Sequence, residues 1–361
     1  FEQAPNGQPM VCRLIKAIYG LKQAGKCWCT TLRNGLKDMG FQCSQSDQGV
    51  FTIRRGDSKM ILLTYVDDLI ICDNCTELRK EIMDAVHARW ETTDVAELEW
   101  CLGIKITRDR PHRTVRMCQE LYIQDTFTRF RGCEFAGRCR LNTPCADTIK
   151  DLKKGSPEST ETAQVIDNYR SLIGALLWIA NVSRPDVSYT VPTLAKFTAC
   201  PEQAHLQAAL RTLHYLQRTA NLGLQFGDFT GRPMCEGAMT APTDLVGFTD
   251  SSWGDEKPPS GGACFYKGAL ISWGSRRLKT TPQSSCESEY EAATLEANSI
   301  LFLADLVEDI TGRPAVMPIP IYCDNSAACQ LAENALSGKR VKHVMRKLTY
   351  LRELRDENKV I

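Results

Sequence analysis

Apolar positions along the chain switch repeatedly between a period of two or a short continuous run, which marks strands, and the 3.6-residue stripe of helices. Residues 27–39 carry a helical pattern. Val50-Phe51-Thr52-Ile53 reads as a strand entering a turn at Arg54-Arg55-Gly56-Asp57. Two apolar runs follow, Met60-Ile61-Leu62-Leu63-Thr64-Tyr65-Val66 and Leu69-Ile70-Ile71-Cys72, separated only by Asp67-Asp68. Leu78, Ile82, Ala85, Val86 and Trp90 predict a helix over 77–90 with Thr76 as its N-cap. A strand over 102–106, a turn and a second strand come next, then a short amphipathic helix over 121–131.

The middle of the chain is helical. Residues 169–182 are apolar almost all round, as in a core helix, and Ser183-Arg184-Pro185-Asp186 marks the next helix start, with another helix over 202–219. Polar, Gly- and Pro-bearing stretches at 146–162 and 227–242 read as linkers on either side of this block.

The last third returns to alternation. Leu245-Val246-Gly247-Phe248-Thr249-Asp250 is a strand ending on an acid, and 261–273 supplies two strands joined at Lys267-Gly268. A long helix follows. Ser284 with Glu287 three residues on is a capping-box pattern, and its apolar stripe runs through Tyr290, Ala293, Ala297, Ile300, Ala304 and Val307. Ile319-Pro320-Ile321-Tyr322-Cys323 is a strand that ends at Asp324-Asn325, before a helix over 326–333.

Chemistry enters through the acids. Asp67 and Asp68 stand between apolar arms with no Gly, Pro or Asn to build an ordinary tight turn, so water is expected to be scarce there. Two ionised carboxylates side by side then call for a cation with hard oxygen preference. The competing interpretation is a solvated hairpin tip. Tyr65 and the length of both arms favour a metal site. In the last third, acids lie on the first strand, Asp250, beside the stripe of the long helix, Glu289, and at the end of the fourth strand, Asp324. Three strands, a helix, a strand and a helix with acids so placed resemble the ribonuclease H order. Such a cluster can hold two magnesium ions about 4 Å apart, one activating water and one stabilising the leaving oxygen of a cut phosphodiester. Glu287 competes for the middle role but is already accounted for as a capping acid.

Composition narrows the classes. The 361 residues, 43% of them hydrophobic, fit two or three domains with proper cores. Lys and Arg number 44 against 43 acids, a net charge of +1, so any nucleic-acid face has to be local. Arg108, Arg110, His112, Arg113 and Arg116 form one such run, which reads equally as a solvated hairpin. Seventeen irregularly spaced cysteines, without a leader segment, read as reduced thiols of an intracellular protein. Cys72-x-x-Cys75 has no second pair and Cys133, Cys139 and Cys145 have no nearby His, so zinc is poorly supported. No apolar stretch approaches the roughly 20 residues that cross a bilayer.

Tyr65-Val66-Asp67-Asp68 between such arms resembles the metal-binding hairpin of reverse transcriptases. Leu14-Ile15-Lys16-Ala17-Ile18-Tyr19-Gly20-Leu21-Lys22-Gln23-Ala24 resembles the segment that precedes it in copia-type LTR retrotransposon Pol polyproteins. Tyr169-Arg170-Ser171-Leu172-Ile173-Gly174, Ser272-Trp273, Ser284-Ser285-x-Glu287-x-Glu289-Tyr290 and Asp324-Asn325-x-Ala327 are similar to later parts of the same proteins. The resemblance implies an α/β and α+β multidomain chain. Residues 1–145 would be a partial reverse transcriptase palm and thumb, 146–242 a linker and helical connection, and 243–361 an RNase H-like domain with a mixed sheet. It further implies Mg2+ or Mn2+ on Asp67, Asp68, Asp250, Glu289 and Asp324, and a template- and nucleotide-positioning role for Lys22 and Gln23, otherwise a turn before a helix with Lys22 solvated. The implied partners are RNA template, primer, deoxynucleotides, RNA–DNA hybrid and the rest of the Pol polyprotein, in a cytoplasmic virus-like particle and the nucleus.

Two departures qualify the activity. In the family an Asp on an earlier strand, ahead of the stretch matching Phe1, completes the polymerase site. And where copia-type nucleases place an Asp two residues after Lys-His, Lys342-His343-Val344 is followed by Met345, whose thioether is a poor magnesium ligand. Glu353 and Asp356 are candidates to supply the fourth ligand, and Lys339, Arg340, Lys342, Arg346 and Lys347 a contact for the hybrid's phosphates. His343 reads as an aid to product release or a solvated side chain. The alternative to an enzyme fragment is a decayed retroelement remnant that keeps only nucleic-acid binding. With adjacent carboxylates as the only polymerase ligands, these 361 residues by themselves are expected to synthesise no DNA on a primed RNA template; measurable incorporation of deoxynucleotides overturns that expectation.

Overall fold

A computed structural model describes residues 14–93, 95–137, 141–156, 161–227, 243–254, 257–333 and 345–361. The chain divides into two compact units, Phe1–Ala96 with Asp305–Pro314, and Glu97–Ala304 with Ala315–Ile361. Among the described residues the strands form three four-stranded sheets interspersed along the chain with helices, so the chain is mixed α/β as its pattern predicts. No helix of these residues is long and apolar enough to cross a membrane.

The first unit contains α1 (Ala24–Asp38), β1 (Gln42–Cys43), β2 (Val50–Arg55), β3 (Ser58–Tyr65), β4 (Asp68–Asp73) and α2 (Thr76–Arg89). Its sheet runs β1-β2-β3-β4, antiparallel throughout. Phe51, Ile53, Met60 and Leu62 are buried on one face together with Leu32 and Leu36 of α1 and Leu78, Ile82 and Val86 of α2. The stripe read from the sequence is therefore core. Thr76 is not the N-cap: Cys75 occupies that position in extended backbone and no side chain caps the helix. The cysteine thiol instead donates to Glu77 Oε2 at 3.3 Å, and Thr76 opens the first turn. The end of the long helix Ser285–Thr311, from Asp305 on, groups with this unit, where Asp309 Oδ2 accepts from Ser44 Oγ at 2.5 Å and Ser46 Oγ at 3.0 Å.

The second unit begins with β5 (Trp100–Cys101), β6 (Ile104–Asp109), β7 (Thr114–Cys118) and α3 (Glu120–Arg129). It continues through α4 (Ala163–Val182), α5 (Thr190–Ala195), α6 (Gln203–Arg218) and β8 (Leu224–Gly227), which returns to pair with β7. Ile123 and Phe130 of α3, Leu172, Leu176 and Ile179 of α4, and Leu206, Leu210 and Leu213 of α6 share one core. Leu141 and Ile149 join it, so the core takes residues from both sides of the 145/146 position. Ile149 corrects the expectation of a plain linker at 146–162: it lies on a 3-10 turn, Asp147–Asp151, and is buried, because a single apolar side chain suffices to tether an otherwise polar stretch. Arg184 is also buried. Its guanidinium donates to both carboxylate oxygens of Asp186, at 2.9 and 2.7 Å, and to the Thr219 carbonyl at 2.9 Å, which pairs the charge fully. Burial pushes the Asp186 carboxyl upward, but the hydrogen bonds and charge of Arg184 prevail and hold it below the usual range. The segment 228–242, which covers nearly all of the second expected linker, lies outside the described residues.

The rest of this unit holds β9 (Leu245–Ser251), β10 (Pro259–Tyr266), β11 (Ala269–Arg277), α7 (Ser285–Thr311), β12 (Ile321–Cys323), α8 (Ser326–Glu333) and α9 (Met345–Asp356). The sheet order is β11-β10-β9-β12, with the first three strands antiparallel and β12 parallel to β9. The turn at Lys267 and Gly268 has positive φ at both residues, the geometry that matches the twist of a two-residue hairpin. Ser284 caps α7 by accepting from the Glu287 N–H at 3.1 Å, and Glu287 Oε2 reaches back to the Gln283 N–H at 2.7 Å. This is a capping box displaced by one residue. Tyr290, Ala297, Ile300 and Ala304 are buried along α7.

Glu289, Glu291 and Glu296 of α7 are buried as well. Glu296 is 4% exposed and accepts from the Cys264 thiol at 2.8 Å. It occupies space left by two strand glycines: a Cβ on Gly262 would collide with its carboxylate, and one on Gly247 would press on its Cγ at 3.4 Å. Burial pushes the Glu296 carboxyl above its ordinary range. Gly262→Ala is expected to lower the unfolding free energy by about 1 to 3 kcal/mol, since overpacking must displace Glu296 or the helix. Chemical denaturation measures it, and unchanged stability refutes the claim that Glu296 fills this space.

Candidate metal centre

Strands β9 and β12 lie side by side and parallel, with Thr249 opposite Cys323. The next residue on each is an acid, Asp250 on β9 and Asp324 just past β12, and both are exposed. A parallel pair has its C-terminal ends at the same edge of the sheet. Two carboxylates far apart in sequence therefore stand at one place. The backbone around Asp324 is fixed by Asn325, which caps α8 by accepting from the Ala328 N–H at 3.0 Å.

Helix α7 brings the third acid. Glu289 is 4% exposed, against the exposed Asp250 and Asp324. Its two oxygens reach both strands: Oε1 accepts from the Ser251 N–H at 3.2 Å and Oε2 from the Cys323 thiol at 3.6 Å. Tyr290, the next residue, donates its hydroxyl to the Ala328 carbonyl at 2.8 Å and so ties α7 to α8. Burial first, and then the nearby charge of Asp250, push the Glu289 carboxyl up to about 7; Asp324 adds in the same direction, while the bonds from Ser251 and Cys323 oppose it.

Among the described residues Glu289, Cys323 and Asp324 place one ligand atom each within 4.8 Å of one another. Asp250 is not in that set, although its charge acts on Glu289. Cys323 escaped the reading of the sequence, where only its position beside Asp324 at a strand end signalled it. The terminal-helix acids do not join the group: Glu353 is exposed, and Asp356 accepts from Arg355 at 2.8 Å. Lys339, Arg340, Lys342 and His343 lie outside the described residues, and Met345 opens α9.

The other acidic pair belongs to the first unit. Tyr65 pairs directly with Asp68, leaving Val66 and Asp67 as a two-residue turn with Val66 at a φ of 54°. Both acids are exposed, which corrects the expectation that water is scarce around them. The physical reason is the turn itself: a tight reversal puts its residues beyond the last cross-strand pair, where the apolar arms cannot cover them. The Tyr19 hydroxyl donates to Asp67 Oδ2 at 2.6 Å, and Trp28 Nε1 donates to the Val66 carbonyl at 2.6 Å, so α1 and the segment before it hold the tip. Lys22 and Gln23 are exposed at the start of α1, where Gln23 is the N-cap residue without a side-chain cap bond.

The elevated Glu289 carboxyl makes stability pH-dependent. A group that binds its proton more tightly when folded stabilises fully below its unfolded value and loses that contribution as pH rises through the folded value. Without divalent cations, stability is expected to fall between about pH 4.5 and pH 7, by about 1 to 3 kcal/mol from this group. Glu289→Gln should flatten that part of the profile, measured as melting temperature against pH; an equal slope in both proteins refutes the assignment.

Comparison with known proteins identifies relatives of the chain. Residues 3–142 match the family described as reverse transcriptase (RNA-dependent DNA polymerase). The retrovirus-related Pol polyprotein from transposon RE1 of Arabidopsis thaliana is 32% identical over 338 residues, 92% of this chain and 22% of that protein. The Pol polyprotein from transposon TNT 1-94 of Nicotiana tabacum is 29% identical over 351 residues, 96% of this chain and 26% of that one. The chain thus spans only about a quarter of the length of these relatives. A solved ribonuclease H1 isolated from compost aligns at a TM-score of 0.25 and 14% identity, over 33% of this chain and 82% of that one, too low a likeness to bear on the fold. Residues 3–142 thus match the reverse transcriptase family, and nearly the whole chain is homologous to segments of the Pol polyproteins of retrotransposons.

Proposed function

We propose that residues 243–361 are an RNase H-like nuclease that hydrolyses the RNA strand of an RNA–DNA hybrid with Mg2+ or Mn2+, and that the preceding residues are the rear of the reverse transcriptase with its connection. The observation that carries this is Glu289: a buried carboxylate bonded to both strand ends, beside Asp250 and Asp324. A group pushed toward neutrality by burial and like charges gains most when a cation enters. The hard carboxylate oxygens of the three acids suit magnesium, so the residues present fit the metal.

Glu289 would hold the metal from the helix side, and Asp250 and Asp324 from the two strand ends. When bound, the metal supplies an activated water and neutralises the leaving oxygen. The buried helix fixes Glu289 in place, and the exposed strand-end acids face the solvent from which a phosphodiester arrives. In the polymerase part Asp67 and Asp68 are the proposed metal ligands, while Lys22 and Gln23 contact template and nucleotide. Partners would be RNA template, primer, deoxynucleotides and the remaining Pol polyprotein, and the location an intracellular virus-like particle and the nucleus.

A remnant that binds nucleic acid without cleaving it is the second reading, favoured by Met345 at the position where the family has an Asp. The two are separated by incubating the chain with a labelled hybrid and magnesium. Cleavage of the RNA strand is expected, reduced by more than the roughly 10- to 100-fold typical of a supporting residue in Asp250→Asn. Equal binding with no cleavage by either protein establishes the remnant.

A further inference from the structure

Cys323 has no part in the hydrolysis, yet its thiol stands among the acids assigned to it. Sγ lies 3.6 Å from Glu289 Oε2. A tetrahedral ion with bonds of about 2.0 to 2.3 Å holds its ligands roughly 3.5 Å apart, so thiol and carboxylate already stand at the separation zinc imposes. Asp324, the adjacent residue, brings a carboxylate oxygen into the same 4.8 Å group. Burial is graded across the three, with Glu289 buried, Cys323 half-buried and Asp324 exposed, which makes a fixed floor with an entrance. Both sides of the site are anchored, by the parallel pairing of β12 with β9 and by the Asn325 cap of α8. Magnesium takes oxygen ligands, whereas zinc and cadmium prefer sulfur. A site for magnesium alone gains nothing from a thiol here.

We propose that Glu289, Cys323 and Asp324 form a site for a soft divalent cation of the zinc class, and that this cation excludes magnesium by taking two of its carboxylates. The proposal rests on the reading of Glu289 and Asp324 as metal ligands. On binding, the thiol proton and any proton held by Glu289 pass to solvent and sulfur–metal and oxygen–metal bonds form, with water in the fourth position and no change of oxidation state. Cys329 donates its thiol to the Cys323 carbonyl at 3.8 Å and supports the strand end from behind. Zinc bound this way is an inhibitor of cleavage.

The test uses the full chain and cobalt(II) as the visible stand-in for zinc. A thiolate-to-cobalt charge-transfer band is expected, absent in Cys323→Ser, retained when Cys72 and Cys75 are both changed to Ser, and reduced by zinc or by excess magnesium. In the unmutated protein, zinc but not magnesium should slow alkylation of Cys323 by about tenfold or more, read by mass spectrometry. A band that survives in Cys323→Ser, or is lost in the Cys72 and Cys75 variant, overturns the proposal, as does absence of both band and protection. Manganese then separates the causes. If it still raises the melting temperature of the unmutated chain but not of Asp324→Asn, the carboxylate site stands and only the thiol site falls; if it does not, both fall.

Discussion

A carboxylate enclosed between the ends of two parallel strands has to be neutralised by a proton or a cation, because an ionised oxygen pair without partners is too costly away from water. Glu289 is in that situation. Among the described residues its environment supplies two hydrogen bonds, one of them from a weak thiol donor, against two acids of like charge close by. The strand order, the parallel pairing of β12 with β9 and the anchoring of α7 to α8 through Tyr290 all serve to keep this one group where it is.

The same helix carries another buried acid seven residues on, and the contrast is instructive. Glu296 faces two glycines and a thiol that donates to it at 2.8 Å, with no cluster of acids around it. Its burial is a packing matter, made possible by the missing side chains of Gly247 and Gly262. Glu289 lies at the sheet edge where strands end, and Glu296 under the sheet where they continue. Position along one helix thus separates a buried acid that feels the charges of Asp250 and Asp324 from one packed against strand glycines.

The hairpin acids of the first unit show the opposite balance. Asp67 and Asp68 sit at an exposed tip, held by hydrogen bonds from Tyr19 and Trp28 to the turn. Exposure leaves both carboxylates in contact with water, so their burial does not call for a cation. Their proposed function depends on what they meet, whereas the strain of charge at Glu289 is built into its surroundings.

Much of the architecture was legible in the chain alone. Alternating runs at 50–53 and 60–72, the stripe of α2 and the capping Ser284 of α7 fix local structure through side-chain period and backbone hydrogen bonding, which neighbours in sequence determine. Asp250, Glu289 and Asp324 were also recognisable, by their places on successive elements and their resemblance to a family. Other features required the tertiary structure. The exposure of Asp67 and Asp68, the burial of Ile149 and Glu296, and the thiol of Cys323 beside Glu289 depend on contacts between segments distant in sequence. A local pattern specifies which face of an element is apolar, but only packing determines what stands opposite each side chain, and hence its burial and the charges it meets.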